Sequence, residues 1–194
     1  MILALDTCLA ACSAALWDGA RGWARSERIG VGHAERIAPM VSEILAEAGA
    51  KASDLSRVCC TVGPGSFMGA RVGISLAKGL ALPAGLACVP LTTTQAIALD
   101  APRPVTVLID ARRGGAYAQV FGEERPLALL THEAAARLPG PVIGVGLEAI
   151  TGRPAPDAFP DPLAMARHAG VAAPGRLRPL YLRAADAKPA RPAL

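Results

Sequence analysis

The chain has 194 residues, of which 52% are hydrophobic and only 4% aromatic, and it carries a net charge of +4. No apolar run reaches the roughly 18 residues needed to cross a bilayer, and Met1 leads into "ILALD" without a basic signal-peptide region, so we expect a cytoplasmic protein. Five cysteines without a CxxC pair and three histidines without an HxxxH pair argue against a disulfide framework and against a metal site.

The first predicted element is a strand that is repeated later in the chain. The stretch "LALDTCLAACSAALWDG" from Leu3 aligns without a gap with "VLIDARRGGAYAQVFGE" from Val107. Asp6 falls on Asp110, and each copy is typical of a buried strand ending in Asp, a tight turn and a returning strand. The sequence therefore predicts a β-hairpin at the start of each of two related halves.

Helices and strands alternate after the first hairpin. Apolar residues spaced at i, i+3, i+4, i+7, i+8 and i+11 predict a helix over 33–49. These residues are Ile37, Met40, Val41, Ile44, Leu45 and Ala48. The half is completed by the strand "RVCCTV", a glycine-rich loop, a helix over 69–82, the strand "LACVP" and a short helix within "TTTQAIALD".

The rest of the chain predicts a shorter second half. We expect an N-terminal half over 1–100, a reduced C-terminal half over 101–183, and a frayed tail over 184–194 that is rich in Ala and Pro. Two α/β halves that each open with a strand ending in Asp resemble actin, the Hsp70 ATPase and sugar kinases, which have the ribonuclease H-like fold. In those proteins the two loops grip ATP phosphates and a magnesium ion across a cleft.

The loop "GPGSFMGAR" does not match the common phosphate-binding patterns. It lacks the Lys of the Walker A loop, and Gly63, Gly65 and Gly69 are spaced one residue too far apart for GxGxxG. Small residues recur at every fourth position from Gly65 to Ala81, so one face of the second helix has almost no side-chain bulk. That face predicts close packing against the chain's own sheet or against a partner's helix. An anion at the helix N-terminus is a further alternative.

Several motifs together resemble the TsaB (YeaZ) family. They are "LALDTCLAACSAAL", "HAERIAPMVSEIL", "GPGSFMGARVGISLAKGLAL", "IDARRGGAYAQVF" and "PLYLR", and they span residues 2–183. Met68 and Ala70 depart from the family's usual Thr and its usual Leu or Val. The resemblance implies a non-catalytic subunit of the bacterial machinery that makes threonylcarbamoyladenosine in tRNA.

The resemblance also implies what the chain binds and what it lacks. The catalytic relative, TsaD, has a His-xxx-His metal pair where this chain has Thr92, Thr93, Thr94 and Gln95, so we expect neither catalytic residues nor a metal. The implied partners are TsaD, TsaE, functionally TsaC, tRNA through the complex, and a second copy of the chain in a homodimer. No cofactor is expected on the chain alone, and ATP or ADP is a candidate ligand of its interface with TsaD.

The family pairs with TsaD through the two helices of the first half, which puts the partner interface on 33–49 and 69–82. The residues predicted to form it are Arg36, Met40, Glu43, Gly69, Ala70, Gly73 and Ala77.

A second hypothesis is an ATPase or kinase of the actin and sugar-kinase class, with Asp6 and Asp110 around a magnesium-bound nucleotide. Against it, the turn after Asp6, "TCLAAC", lacks the glycines that let backbone N–H groups surround phosphates.

Overall fold

The computed structural model describes residues 1–123 and 125–183, and within these residues the strands form two sheets. The first sheet contains β1 (Ile2–Asp6), β2 (Ala11–Trp17), β3 (Gly22–Arg28), β4 (Arg57–Thr61) and β5 (Ala87–Leu91). The second contains β6 (Val105–Asp110), β7 (Gly115–Phe121), β8 (Arg125–Thr131) and β9 (Val142–Val145). The predicted α/β class is confirmed.

Six α-helices occur in this part of the chain. They are α1 (His33–Glu47), α2 (Phe67–Ala81), α3 (Thr93–Ala98), α4 (His132–Ala136), α5 (Leu147–Thr151) and α6 (Pro162–Val171). The second helix begins two residues earlier than predicted, because the Ser66 side chain accepts a hydrogen bond from Gly69 N and caps the helix there. None of these helices combines the length and the apolarity that crossing a membrane requires.

The two sheets share one topology over four strands. The strand orders are β3-β2-β1-β4-β5 and β8-β7-β6-β9. β1 pairs antiparallel with β2 and parallel with β4, and β6 pairs in the same two ways with β7 and β9. The predicted duplication is therefore confirmed in strand order and direction.

The predicted match of Asp6 with Asp110 is wrong by one residue. In the first hairpin Asp6 lies opposite Ser13. The residue 104 positions after Ser13 is Tyr117, and in the second hairpin Tyr117 lies opposite Ile109. Ile109 is therefore the counterpart of Asp6, and Asp110 comes one position later.

Core packing agrees with the corrected register. Leu5 in β1 packs in the core beneath α1 and α2, and Leu108 in β6 packs in the corresponding core beneath α4 and α5. These two leucines are 103 positions apart, so Asp110 corresponds to Thr7. Because neighbouring residues of a strand point to opposite faces, the two aspartates are not an equivalent pair. A gapless sequence alignment cannot show this shift, because the shift appears only when one sees which residues lie opposite each other in each hairpin.

Helices cover both faces of the first sheet. On one face, α1 and α2 enclose a core in which Leu3, Met40 and Ile44 are fully buried. On the other face α6 packs across β1, β2 and β4, and it buries Met165 against Ala4. The first sheet is therefore the middle layer of three.

A smaller core joins the two sheets. Ile97 and Ala98 of α3 pack with Val105, Val107 and Ile109 of β6. One polar contact crosses the same junction, since Thr94 Oγ1 donates a hydrogen bond to Gln119 Oε1 at 2.6 Å. The halves are thus held together by packing at α3 as well as by the chain itself.

The C-terminal half does not extend to residue 183 as predicted, because the chain returns to the first sheet at α6. Arg57 of β4 donates hydrogen bonds to the carbonyl oxygens of Ala169 at 2.8 Å and Ala172 at 2.9 Å, at the end of α6. Further along, Leu180 N donates to Val62 O at 2.7 Å. Residues 162–180 therefore belong with the first half. The predicted tail, 184–194, lies outside the described residues.

Candidate functional site

The small-residue face of α2 packs against the turn that follows β1. Thr7 Oγ1 donates a hydrogen bond to Gly69 O at 2.7 Å, and Ser66 N donates to Cys8 O at 2.7 Å. A methyl group on Gly69 would collide with the carbonyl oxygen of Thr7, and one on Gly65 would collide with that of Cys8. The glycines therefore let α2 and its loop approach the chain's own backbone.

This packing corrects most of the predicted partner interface. Gly69, Ala70, Gly73 and Ala77 are buried on α2, and Met40 is fully buried in the core under α1. The chain itself therefore covers these five residues, although Gly69 also lines a pocket beside α1. Of the two alternatives for the bare helix face, the structure shows the intramolecular one.

The other two predicted interface residues, Arg36 and Glu43, bind each other on the flank of α1 next to β3. Arg36 forms hydrogen bonds with both carboxylate oxygens of Glu43, at 2.8 and 2.9 Å, and with both of Glu27, at 2.6 and 2.7 Å. These bonds lower the pKa of Glu27 and of Glu43 and raise the pKa of Arg36. The sequence pattern did not predict the contact between Arg36 and Glu27, because Glu27 lies on β3 and Arg36 on α1, and no local spacing connects them.

The outer faces of α1 and α2 form an apolar groove of about 390 Å³, which we call the helix groove. Residues that line it include Ala34, Ala38, Met68, Arg71, Val72 and Leu76. Met68 is 63% exposed, although it is a large apolar side chain. The helix groove therefore has the composition of a protein-binding surface.

Sequence reasoning missed the helix groove. Ala34 and Ala38 are four residues apart on α1, and Val72 and Leu76 are four apart on α2, so each pair lies on one side of its helix. This spacing is present in the sequence. It was not used, because the apolar residues of the buried face of α1 form a more regular pattern.

The helix groove continues into a cleft between the two halves. A smaller pocket, of about 220 Å³, shares Ala34, Met68 and Val72 with the groove, and it shares Gly30, Val31 and Ser66 with the cleft. The cleft has a volume of about 620 Å³. Residues of the turns after β1 and β6 both line it, so the positions of Asp6 and Asp110 decide whether the second hypothesis, a nucleotide site between the two aspartates, is possible.

The structure separates the two aspartates. Asp6 is fully buried, accepts hydrogen bonds from Thr61 Oγ1 at 2.6 Å and Cys8 N at 3.1 Å, and does not line the cleft. Burial raises its pKa. Asp110 does line the cleft, where it accepts from Arg112 N at 2.8 Å and lies 3.1 Å from His132 Nε2. An Asp pair around a magnesium-bound nucleotide is therefore not formed.

The segment from Thr92 to Gln95, which the sequence analysis compared with the metal pair of TsaD, begins the helix α3. Thr92 Oγ1 accepts a hydrogen bond from Gln95 N at 3.1 Å, and Gln95 Oε1 accepts from Thr92 N at 2.9 Å, which forms a capping box at the start of α3. Within residues 1–123 and 125–183, no three His, Cys, Asp or Glu side chains are grouped so that they could hold a metal ion.

The fold and the surface define the class of the protein. It is an α/β protein with two sheets that each contain the same hairpin, with Asp6 buried and an apolar groove between α1 and α2. A family model described as TsaD, tRNA N6-adenosine threonylcarbamoyltransferase, matches residues 27–140. A solved structure from Pseudomonas aeruginosa, titled as an uncharacterized protein with similarity to peptidase YEAZ, superposes with a TM-score of 0.79 at 27% identity. That match covers 94% of this chain and 99% of the other.

Curated relatives give the family. The tRNA threonylcarbamoyladenosine biosynthesis protein TsaB of Escherichia coli (strain K12) is 37% identical over 162 residues, which are 75% of this chain and 70% of the relative. The Haemophilus influenzae protein of the same name is 38% identical, over 63% of this chain and 55% of its own length. The chain belongs to the TsaB (YeaZ) family, which confirms the resemblance found in the sequence.

Proposed function

We propose that this protein is a non-catalytic subunit of the cytoplasmic complex that makes N6-threonylcarbamoyladenosine in tRNA, where it binds and activates the TsaD transferase. The observation that carries the proposal is the alignment with the E. coli protein TsaB over 75% of the chain. In this proposal TsaE, TsaC and tRNA act with the same complex, and a second copy of the chain can form a homodimer.

Two observations support a non-catalytic role. The residues at the place of the TsaD histidine pair are Thr92, Thr93, Thr94 and Gln95, and two of them form the capping box of α3. Hydroxyl and amide groups are poor substitutes for imidazole at a catalytic metal. The loop that could have surrounded phosphates is bonded to the turn after β1 instead.

The helix groove supports the proposed contact with TsaD. The family pairs through its first two long helices, and in this chain the exposed faces of α1 and α2 leave an apolar groove between them. Burying such a surface against a partner's helix is favourable by roughly 25 cal/mol for each Å² of apolar area removed from water. We further propose that this chain alone binds no cofactor, and that ATP or ADP in the complex binds at its interface with TsaD.

The experiment is complementation of an E. coli strain depleted of its own TsaB, with threonylcarbamoyladenosine in total tRNA measured by mass spectrometry of nucleosides. We expect the chain together with its cognate TsaD to restore the modification. Two matched variants locate the surface. Ala38→Arg puts a charge into the helix groove and should abolish restoration, whereas Ala46→Arg, on an exposed part of α1 away from the groove, should leave it intact.

Two outcomes would contradict the proposal. No modification with the unaltered chain, when it is expressed and folded beside its cognate TsaD, would exclude this function. Equal restoration by Ala38→Arg and by the unaltered chain would mean that TsaD does not bind in the helix groove.

A further inference from the structure

Arg71 lies on the rim of the helix groove and is held in one orientation by two aromatic side chains. Its guanidinium carbon is 3.8 Å from the centre of the Phe67 ring, and its Nε donates a hydrogen bond to Tyr181 Oη at 2.9 Å. The rings of Phe67 and Tyr181 stack on each other with their centres 4.9 Å apart. A long side chain that is ordered before binding loses little conformational freedom when a partner arrives.

Arg71 has no acidic partner among the residues that the structure describes. The arginines on the neighbouring flank differ in this respect, since Arg36 binds Glu27 and Glu43, and Arg25 binds Glu43 and Glu47. Arg71 uses Nε for Tyr181, so its two terminal nitrogens are the donors left for a ligand. An ordered guanidinium with two free terminal nitrogens matches the geometry of a carboxylate.

The surroundings of Arg71 favour a protein carboxylate over a nucleic acid. Met68, Val72 and Leu76 line the groove beside it, and this apolar surface has no complement on a nucleic-acid backbone. The Phe67 ring, which would be the natural platform for a base, is already covered by Arg71 and stacked on Tyr181. Arg71 also lies in the second turn of α2, close to the helix end whose dipole favours negative charge.

We infer that Arg71 anchors the partner: it binds an Asp or Glu on the amphipathic helix of TsaD that fills the helix groove. This inference rests on the proposed function, because it specifies the chemistry of the same surface. The apolar stripe of the partner helix lies in the groove, and its acidic residue lies over the N-terminal part of α2. Phe67 and Tyr181 are positioning residues that hold the guanidinium toward that acid.

The test measures the dissociation constant of the full-length chain for its cognate TsaD by calorimetry, at low and high salt. Arg71→Glu should weaken binding by about thirtyfold or more, because a charge pair at an interface is replaced by a repulsive one. Tyr181→Phe removes only the hydroxyl that orients Arg71 and should weaken binding by a few-fold. Lys78→Glu, the control on an exposed part of α2 outside the groove, should change binding less than twofold.

Reversing the charge of one acidic residue on TsaD should restore tight binding to Arg71→Glu and to no other variant, which would identify the partner carboxylate. Binding of Arg71→Glu as tight as that of the unaltered chain overturns the inference and leaves the proposed function standing. If only tRNA binding by the assembled complex is weakened, Arg71 contacts a phosphate and the inference is overturned as well. Failure of the unaltered chain to bind TsaD is a failure of the proposed function itself.

Discussion

The two hairpin turns occupy the same place in two sheets of the same topology, yet their surroundings differ. The turn after β1 is largely buried, and both Thr7 and Cys8 are hydrogen-bonded to the loop and first turn of α2. The turn after β6 is exposed at the cleft, and its Arg112 and Arg113 have φ angles of 60° and 51°, in the left-handed region that side chains seldom adopt. The two halves therefore share their strand order, but the first turn packs against a helix and the second is exposed at the cleft.

This difference shows how a fold related to nucleotide-binding proteins can serve another purpose. In the first half, the turn is hydrogen-bonded to the loop and first turn of α2, and Asp6 is buried away from the cleft. In the second half, Asp110 faces the cleft, but it is bonded to its own turn and lies beside His132. The cleft is therefore lined by Asp110 without Asp6, so the two aspartates do not form a pair there.

Breaking the contact between the first turn and α2 should have the largest effect. Gly69→Ala places a methyl group against the carbonyl oxygen of Thr7, so we expect the free energy of unfolding to fall by about 3 kcal/mol. Gly79→Ala is the matched control in the same helix, since nothing lies within 4 Å of its added methyl group. It should raise the free energy of unfolding by up to about 1 kcal/mol.

Urea denaturation followed by circular dichroism measures both variants. Equal stability of Gly69→Ala and Gly79→Ala would show that α2 does not lie against the turn.

The buried Asp6 should produce a smaller, pH-dependent effect. Because burial raises its pKa in the folded state, the folded chain holds the proton more tightly than the unfolded chain does. Stability contributed by this proton is fully present below the ordinary pKa of aspartate and is lost as the pH rises through the raised pKa. Asp6→Asn should therefore gain thermal stability over the unaltered chain as the pH is raised from 4 to 8, as scanning calorimetry would show.

Asp110→Asn is the comparison for that experiment, because Asp110 is partly exposed at the cleft. It removes a carboxyl group that the fold leaves partly exposed, so it shows what the same substitution does without full burial. A pH-independent difference for Asp6→Asn would contradict the burial argument.

The smallest expected effect is that of Mg-ATP on the isolated chain. Calorimetric titration should give no binding heat, and Asp110→Asn should behave like the unaltered chain, because Asp6 and Asp110 do not face a common site. Tight binding that is lost in Asp110→Asn would revive the kinase hypothesis.

Elements governed by local rules could be predicted from the sequence. The apolar spacing from Ile37 to Ala48 predicted α1, which begins at His33 as expected. The repeated pattern of strand, turn and returning strand predicted the duplicated hairpins, although it matched the two aspartates one residue out of register. The features that sequence reasoning missed depend on contacts across the chain. The glycine face of α2 fits either a sheet or a partner equally well, and only the position of Thr7 decides between them.

The site shows the same limit. Arg36 and Glu43 are seven residues apart and were predicted for a partner, but Glu27 on β3 binds Arg36 within the chain. Arg71 and Tyr181 are 110 positions apart in the sequence, so no local pattern indicates that one orients the other. Motifs predicted the two helices, α1 and α2, but they could not show which side chains of those helices are buried and which are exposed.

During translation, all five strands of the first sheet are synthesised well before α6, the helix that covers one face of that sheet. Ala4, Cys59 and Val89 are buried only when α6 arrives, some 70 residues after β5 ends. Until then the nascent chain displays an apolar sheet face, which is the kind of surface that chaperones bind. The N-terminal half should consequently aggregate when it is expressed alone, and it should become soluble when α6 is restored to it.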